Sequence, residues 1–258
     1  MMRRSLALAA ALGLAAAPAF AATLKPIRVI LVGDSTMATR SGYGDALCQR
    51  FVPEVSCINL AKGGRSSGSF RAEGLWDAVL AMLRDGGQYG ASYVLIQFGH
   101  NDQPGKPGRS TDLVTQFPAN LARYVEEVKT LSGVPVLVTP LTRRSFRGPN
   151  LHNDLAPWAA ASRKVAAEQH ATLLDLNAES YEAVQAMGET EADTLAMVPP
   201  PDNAVAAAPN KVEPAGAAKP AFDRTHLGAK GAGYFSGMVA RELARELPAV
   251  VPYLKDKP

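Results

Sequence analysis

The chain has 258 residues, and 27 lysines and arginines against 24 aspartates and glutamates give it a formal charge of +3 at pH 7. This length suffices for one well-packed domain, and so small a charge excess gives no reason to expect nucleic acid as a partner. The sequence has no cysteine–histidine spacing typical of a zinc site, so we expect neither a metal nor another cofactor.

The first 21 residues are predicted to be a secretory signal peptide. They carry Arg3 and Arg4, then an apolar run at 6–16 that is too short to span a bilayer, and then small residues at 19 and 21, on either side of Phe20. An N-terminal membrane anchor is the alternative. Cleavage would remove two arginines and lower the formal charge to +1. We therefore expect an exported protein, periplasmic or secreted, that is monomeric, free of the membrane and folded as one domain over 22–258.

Short apolar runs rich in β-branched residues alternate with segments of helical period. The runs predict five strands, at 27–32, 55–60, 93–98, 134–139 and 172–176. The predicted helices lie at 43–51, 75–85, 117–131, 155–170 and 231–247. Strands that alternate with helices indicate βαβ units with right-handed crossovers. The expected fold is therefore a three-layer α/β/α sandwich around a five-stranded parallel sheet.

The two cysteines of the chain, Cys48 and Cys57, lie between a predicted helix end and a predicted strand start. An even number of cysteines in an oxidising compartment favours a disulfide between them. Two buried free thiols are the alternative.

One segment, 198–222, is rich in proline and alanine and lacks periodicity. Its composition predicts a flexible or weakly structured surface insertion. Because it runs directly into Asp223, a mobile lid near a functional site is the alternative to a passive linker.

Polar clusters interrupt the chain where predicted strands end. They lie at 33–35, 61–70 and 99–102, and a fourth precedes the last helix at 223–226. A single cluster could merely cap a helix. The carboxyl ends of parallel strands share one edge of the sheet, where ligands bind in open α/β folds, so four clusters predict a site.

The residue types in these clusters fit nucleophilic acyl transfer. A serine such as Ser35 needs a nearby base to take its proton, and that base needs a carboxylate to orient it. His226 and Asp223 are three residues apart, so a short backbone turn could point both toward the serine. The resulting oxyanion requires fixed donors, for which the Ser35 amide, the Gly64 amide and the Asn101 side chain are the candidates.

The ordered motifs "GDS", "GGRSS", "GHND" and "DRTH" resemble the four blocks of the SGNH, or GDSL-type, hydrolases. The Ser, Gly, Asn and His of that name match Ser35, Gly64, Asn101 and His226. The longer motifs "GDSTM", "GRSSGSF", "EGLWD", "QFGHND" and "DRTHLGAKGA" are similar to the rhamnogalacturonan acetylesterase branch of carbohydrate esterases. The resemblance implies a flavodoxin-like strand order, 2-1-3-4-5, and a secreted esterase that acts on pectin.

Other polar and aromatic residues near these motifs allow two interpretations each. Arg65, Arg143 and Arg144 could pair with the carboxylates of uronic acids, or they could be solvated surface arginines. We expect His100 to support the site by hydrogen bonding, and Asp102 is expected to brace the loop. Trp158 is expected in the core, with sugar stacking as the alternative.

The predicted function is removal of acetyl groups from an acetylated polysaccharide, most specifically rhamnogalacturonan, by a Ser-His-Asp mechanism. The alternatives are another glycan O-acetylesterase, a lipase or thioesterase, and a non-catalytic carbohydrate-binding module. A lipase would require an apolar lid, whereas the insertion is rich in alanine and proline. A binding module would fit better if Ser35, Asp223 or His226 were missing.

Overall fold

The computed structural model describes residues 24–198 and 222–256. The predicted signal peptide and residues 199–221 of the predicted insertion lie outside this part. The strands are β1 Ile27–Gly33, β2 Val55–Asn59, β3 Ser92–Gln97, β4 Val134–Val138, β5 Phe146–Arg147, β6 Asn150–Leu151 and β7 Thr172–Leu174. The helices are α1 Gly44–Cys48, α2 Ser69–Ala72, α3 Leu75–Arg84, α4 Gln116–Thr130, α5 Ala156–Glu168, α6 Leu176–Asp193 and α7 Ala229–Glu246, followed by a 3₁₀ helix at Pro248–Tyr253.

Five strands form one parallel sheet in the order β2-β1-β3-β4-β7. Because β5 and β6 form a separate antiparallel hairpin, β7 is the fifth strand of the sheet, and the predicted order 2-1-3-4-5 is confirmed. The chain adds β2 on one side of β1 and then β3 on the other. The carboxyl ends of β1 and β3 therefore border the crevice at which open α/β sheets bind ligands.

The side chains of β1 alternate between two hydrophobic cores, as period-two geometry requires. Val29 and Leu31 belong to a core that includes α1, α6 and α7. Ile30 and Val32 belong to a second core, which includes α3, α4 and α5. Helices thus cover both faces of the sheet, giving the predicted three layers.

Helix α6 and the β5–β6 hairpin have no counterpart among the predicted elements. The strand predicted at 172–176 ends at Leu174, and α6 begins two residues later. Gly188, with φ of 74°, interrupts the helical backbone of α6. This interruption and the many polar residues of the segment hide its helical period in the sequence.

A disulfide and an isolated β-bridge join segments that lie apart in sequence. Cys48 at the end of α1 and Cys57 in β2 form the predicted disulfide. On either side of 199–221, Ala196 and Leu227 form an antiparallel β-bridge. Among the helices of 24–198 and 222–256, none is long and apolar enough to cross a membrane.

Candidate active site

Ser35, His226 and Asp223 form a hydrogen-bonded chain at the carboxyl edge of the sheet. Ser35 Oγ lies 2.8 Å from His226 Nε2, and His226 Nδ1 lies 2.6 Å from Asp223 Oδ2. When Nδ1 keeps its proton and donates it in a hydrogen bond to the carboxylate, Nε2 is free to accept the proton of the serine hydroxyl. The structure therefore brings together the predicted nucleophile, base and orienting carboxylate, although they come from opposite ends of the described chain.

The Asp223 carboxylate is prepared to remain ionised. Its Oδ1 accepts hydrogen bonds from the backbone N–H groups of Thr225 (2.8 Å) and His226 (3.1 Å). Burial alone would raise the pKa of Asp223, but the hydrogen bonds and charge of His226 and the Thr225 N–H hold it well below its ordinary value. Asp223 can therefore stabilise a positively charged His226 during a reaction.

Arg144 supports the loop that carries Asp223 and His226. Its side chain is fully buried, and Nη2 donates to the carbonyl oxygens of His226 (2.8 Å) and Asp223 (3.3 Å). Burial lowers the pKa of Arg144 to about 10, so the group stays protonated at neutral pH. This placement corrects the prediction that Arg144 binds a substrate carboxylate, because the loop encloses its guanidinium.

A second arginine fastens the same loop to α6. Arg224 Nε and Nη2 each donate to one oxygen of Asp193 at 3.0 Å, and Nη2 also lies 2.6 Å from Glu189 Oε1. This two-pronged geometry fixes orientation as well as distance. These partners lie on α6, a helix whose period is hidden in the sequence, so they could not be predicted.

Two of the predicted oxyanion donors have N–H groups that are free within the described residues, and the third is held by a neighbouring carbonyl. The N–H groups of Ser35 and Gly64 donate to no acceptor within 24–198 and 222–256. Gly64 has φ of +79°, a conformation that other residues seldom adopt. Asn101 Nδ2 donates to the carbonyl of Arg65 at 3.0 Å, and this bond leaves its second N–H available.

A buried polar network fixes the turn that carries Ser35. Asp34 Oδ1 accepts from the Thr36 N–H (2.9 Å) and Oγ1 (2.8 Å). Gln97 Nε2 donates to Thr36 Oγ1 (2.7 Å), and the Tyr43 hydroxyl donates to Gln97 Oε1 (2.6 Å). Sequence reasoning missed Gln97 and Tyr43. The signal that could have found Gln97 is a polar residue inside the apolar run of β3.

His100 lies beside Asp34 in the interior. Its Nδ1 is 3.3 Å from Asp34 Oδ2, so the ring lies directly against that carboxylate. Burial lowers the pKa of His100. Burial opposes ionisation of Asp34 too, yet the proximity of His100 and the Thr36 hydrogen bonds lower its pKa. The position of His100 beside Asp34 fits its predicted role as a support of the site.

Asp102 braces two loops, as predicted. Its Oδ1 accepts from the Ser67 N–H (3.0 Å), the Ser67 hydroxyl (2.6 Å) and the Thr111 hydroxyl (2.9 Å). Burial raises its pKa to about 6 although these hydrogen bonds oppose the rise. The loops after β2 and β3 are therefore joined beside Asn101.

The other two predicted substrate-binding arginines are already paired within the protein. Arg65 contacts Glu73 at 2.8 Å and donates to the carbonyl of Gly63 at 2.8 Å. Arg143 is buried and donates to Asp154, to Gln103 Oε1 at 3.0 Å and to Thr225 Oγ1 at 3.2 Å. These contacts correct the prediction for Arg143, whose guanidinium holds loops together, and they make Arg65 a brace of its own loop.

Trp158 is a core residue and not a platform for sugars. It is 4% exposed, and its ring packs edge-on against Phe117 at 4.8 Å between centroids.

No group of three or more His, Cys, Asp and Glu side chains in the described part of the chain could hold a metal ion.

Comparison with known proteins identifies relatives over most of the chain. Residues 31–233 match the GDSL-like Lipase/Acylhydrolase family. The probable rhamnogalacturonan acetylesterase YesY of Bacillus subtilis is 27% identical over 89% of this chain and 98% of its own length. The rhamnogalacturonan acetylesterase RhgT of the same organism is 34% identical over 66% of this chain and 74% of its own length.

Solved structures share the fold. Protein YxiM of Bacillus subtilis superposes with a TM-score of 0.65 at 21% identity, over 85% of this chain. This chain spans 56% of that longer one. The acetylxylan esterase Axe2 of Geobacillus stearothermophilus superposes with a TM-score of 0.54 at 19% identity, over 85% of this chain and 93% of its own. At such identities the likeness concerns the fold alone.

Proposed function

This chain belongs to the GDSL-like lipase/acylhydrolase family and is a carboxylic ester hydrolase; from that premise we propose that it is an exported serine esterase that removes O-acetyl groups from rhamnogalacturonan. The observation that carries the mechanism is the position of His226, which contacts both Ser35 and Asp223.

Acylation begins at Ser35. Its Oγ attacks the acetyl carbonyl carbon while His226 Nε2 takes the hydroxyl proton, and the carbonyl oxygen becomes an oxyanion. The N–H groups of Ser35 and Gly64 and the Asn101 side chain donate hydrogen bonds to that oxygen. The tetrahedral intermediate then expels the sugar oxygen, which takes the proton from His226, and an acetyl group remains on Ser35.

Deacylation uses the same groups with water. His226 takes a proton from water, the resulting hydroxide attacks the acetyl carbon, and the same donors stabilise the second oxyanion. Collapse breaks the bond to Ser35 Oγ, which regains its proton from His226, and acetic acid leaves and loses its own proton to solvent. Asp223 stabilises the charged His226 in both halves.

Two observations support the substrate and the location. Two relatives that match most of their own length carry the name rhamnogalacturonan acetylesterase. The first 21 residues have the sequence pattern of a secretory signal, which would bring the enzyme to extracellular polymers.

The test is acetate release by wild type and by Ser35→Ala from acetylated rhamnogalacturonan, acetyl-xylan, 4-nitrophenyl acetate and a long-chain ester. Wild type should act fastest on the acetylated pectin, and loss of the nucleophile should cost several orders of magnitude on every ester. Ser56→Ala, a change of the same kind near the amino end of β2, is the matched control and should retain activity.

Mass spectrometry after treatment with a serine-directed phosphonate locates the nucleophile independently. Labelling at a residue other than Ser35 would overturn the mechanism. A preference for acetyl-xylan would reject the pectin assignment and leave the esterase mechanism standing, and a preference for the long-chain ester would favour a lipase.

A further inference from the structure

Arg109 is a cation at the site without an acidic partner. Arg65 pairs with Glu73 and Arg143 with Asp154, whereas the Arg109 side chain forms no hydrogen bond or ion pair within 24–198 and 222–256. Its side chain is partly exposed, so it can meet a ligand from solvent.

Arg109 lies beside the oxyanion donors. Its Nη1 is 3.7 Å from the point that a Cβ on Gly64 would occupy. Gly63, the preceding residue, borders Ser35, since a Cβ there would lie 3.6 Å from the serine Cβ. A sugar whose acetyl group reaches Ser35 therefore has the Arg109 guanidinium next to it.

The loop that carries Arg109 is held in place by hydrogen bonds. The Ser110 hydroxyl donates to the carbonyl of Gln103 at 2.8 Å and accepts from the Lys106 N–H at 2.8 Å. The Thr111 N–H donates to the carbonyl of Asp102 at 2.9 Å. Since Asp102 follows Asn101 directly, the position of Arg109 is coupled to that of a proposed oxyanion donor.

Lys106 adds a second positive charge to the loop that carries Arg109. Lys106 is held by a hydrogen bond from Nζ to the carbonyl of His100. Burial, followed by repulsion from Arg143 and Arg109, lowers the pKa of Lys106 to about 8, although Asp34 and Asp154 oppose the change. An anion bound here would offset this repulsion.

We propose that Arg109 binds the carboxylate of a uronic acid unit of the bound polymer. The planar guanidinium can donate two parallel hydrogen bonds to a carboxylate, and this substrate class is the acidic one named in the proposed function, on which the inference rests. Arg109 thus takes the role predicted for Arg65, Arg143 and Arg144, which was to pair with a carboxylate of the substrate.

The experiment compares acetylated rhamnogalacturonan oligosaccharides with the same oligosaccharides after reduction of their carboxyl groups. For each variant, kcat/KM on both substrates is divided by its own value on 4-nitrophenyl acetate, so that a general loss of activity cancels. Arg109→Gln should reduce the preference for the acidic substrate by about tenfold to a hundredfold, the value of a charged hydrogen bond, mainly through KM. Arg109→Lys, which keeps the positive charge but not the two parallel N–H donors of the guanidinium, should lose part of this preference.

Arg241→Gln is the matched control. Arg241 is exposed on α7, and its replacement by glutamine removes the same charge as Arg109→Gln. It lies about 18 Å along α7 from the first residue of that helix. It should leave the preference unchanged, whereas an equal effect of both variants would reduce the role of Arg109 to net charge and overturn the proposal. A preference that survives Arg109→Gln would overturn it too.

Failure of the proposed substrate gives a different result. If wild type acts on acetylated glucuronoxylan and not on rhamnogalacturonan, the pectin assignment is wrong. The role of Arg109 is then tested by comparing that polymer with its carboxyl-reduced form, using the same Arg109 and Arg241 variants. A wild-type enzyme that does not distinguish any acidic polymer from its reduced form refutes the inference directly.

Discussion

Asn101 has to serve two acceptors in the proposed mechanism. One N–H of its side chain is used by the carbonyl of Arg65, which holds the amide in place and aims the other N–H away from that bond. A donor fixed before the reaction stabilises the oxyanion without reorganisation. The residue should therefore matter more for turnover than for stability.

We predict that Asn101→Ala lowers kcat by about 10²–10³ with little change in KM for acetyl esters. Steady-state kinetics and thermal unfolding of the same preparation provide the measurement. Asn120→Ala is the control, because Asn120 makes a comparable bond to the Ser67 hydroxyl (3.0 Å) away from the nucleophile. Near-normal turnover in Asn101→Ala would show that the oxyanion is stabilised by other donors.

The residues proposed as triad and as oxyanion donors could be selected from the sequence because each stands in a short local motif. Arg143 and Arg144 could not be interpreted in this way. A pair of arginines in a loop is typical of a solvated or ligand-binding surface, and the groups that bury them, such as the carbonyls of the loop at 223–226, are about 80 residues away. Partners at such a distance in sequence leave no local pattern.

At the scale of elements, the contact between α6 and α7 contains a buried acid. Glu242 is 0% exposed, its Oε2 has no hydrogen-bond partner in the described ranges, and its Oε1 lies 3.4 Å from Arg245 Nη2. Burial and, secondly, the neighbouring Glu179 raise the pKa of Glu242, while Arg245 opposes the change. The folded state therefore binds the Glu242 proton more tightly than the unfolded state.

This linkage predicts a pH-dependent gain from Glu242→Gln. An acid whose pKa is raised by folding stabilises the folded state fully below its ordinary pKa of 4.5. That stabilisation is lost as the pH rises through the pKa of the folded state. Glutamine imitates the protonated acid, so it should add stability on the order of 1–2 kcal/mol at pH 8 and almost none at pH 4. Urea unfolding at both pH values measures the difference. Glu246→Gln, at a more exposed position of α7, is the control, and equal effects at both pH values would contradict the prediction.

The strands were easier to predict than the helices around them. Strands buried on both faces give continuous apolar runs, and β1, β3 and β4 consist mainly of such residues. The sequence of α6 gives no comparable signal, since its few buried positions are separated by polar residues and by Gly188. Its function is nevertheless specific, because Asp193 and Glu189 on α6 hold Arg224.

At the scale of the whole molecule, parallel topology is what assembles the site. Once β1 and β3 are neighbours, Ser35 and Asn101 must lie at the same edge of the sheet, and this could be predicted from strand order alone. The sequence could not predict the network of Tyr43, Gln97 and Thr36 beneath them, because each of its bonds depends on side-chain directions that emerge only when the cores are packed.

The residues on either side of 199–221 are held to each other and to the loop after β1 by backbone hydrogen bonds. Met197 donates to the carbonyl of His226 at 3.3 Å, and the Leu227 N–H donates to the carbonyl of Ser41 at 2.9 Å. The loop that carries His226 is therefore fastened to the earlier part of the chain by contacts that do not involve 199–221. Helix α7 adds its buried face to the same core as β1.

The enzyme should therefore function by fragment complementation. We expect that a gene divided within 199–221 yields two polypeptides, one with Ser35 and one with Asp223 and His226, that copurify and together hydrolyse 4-nitrophenyl acetate. A division at Ser132, between α4 and β4, is the control and should give little activity, since it separates adjacent strands of the sheet. Fragments that fail to associate would contradict this expectation. If they do associate, a single proteolytic cleavage within 199–221 leaves a working two-chain esterase.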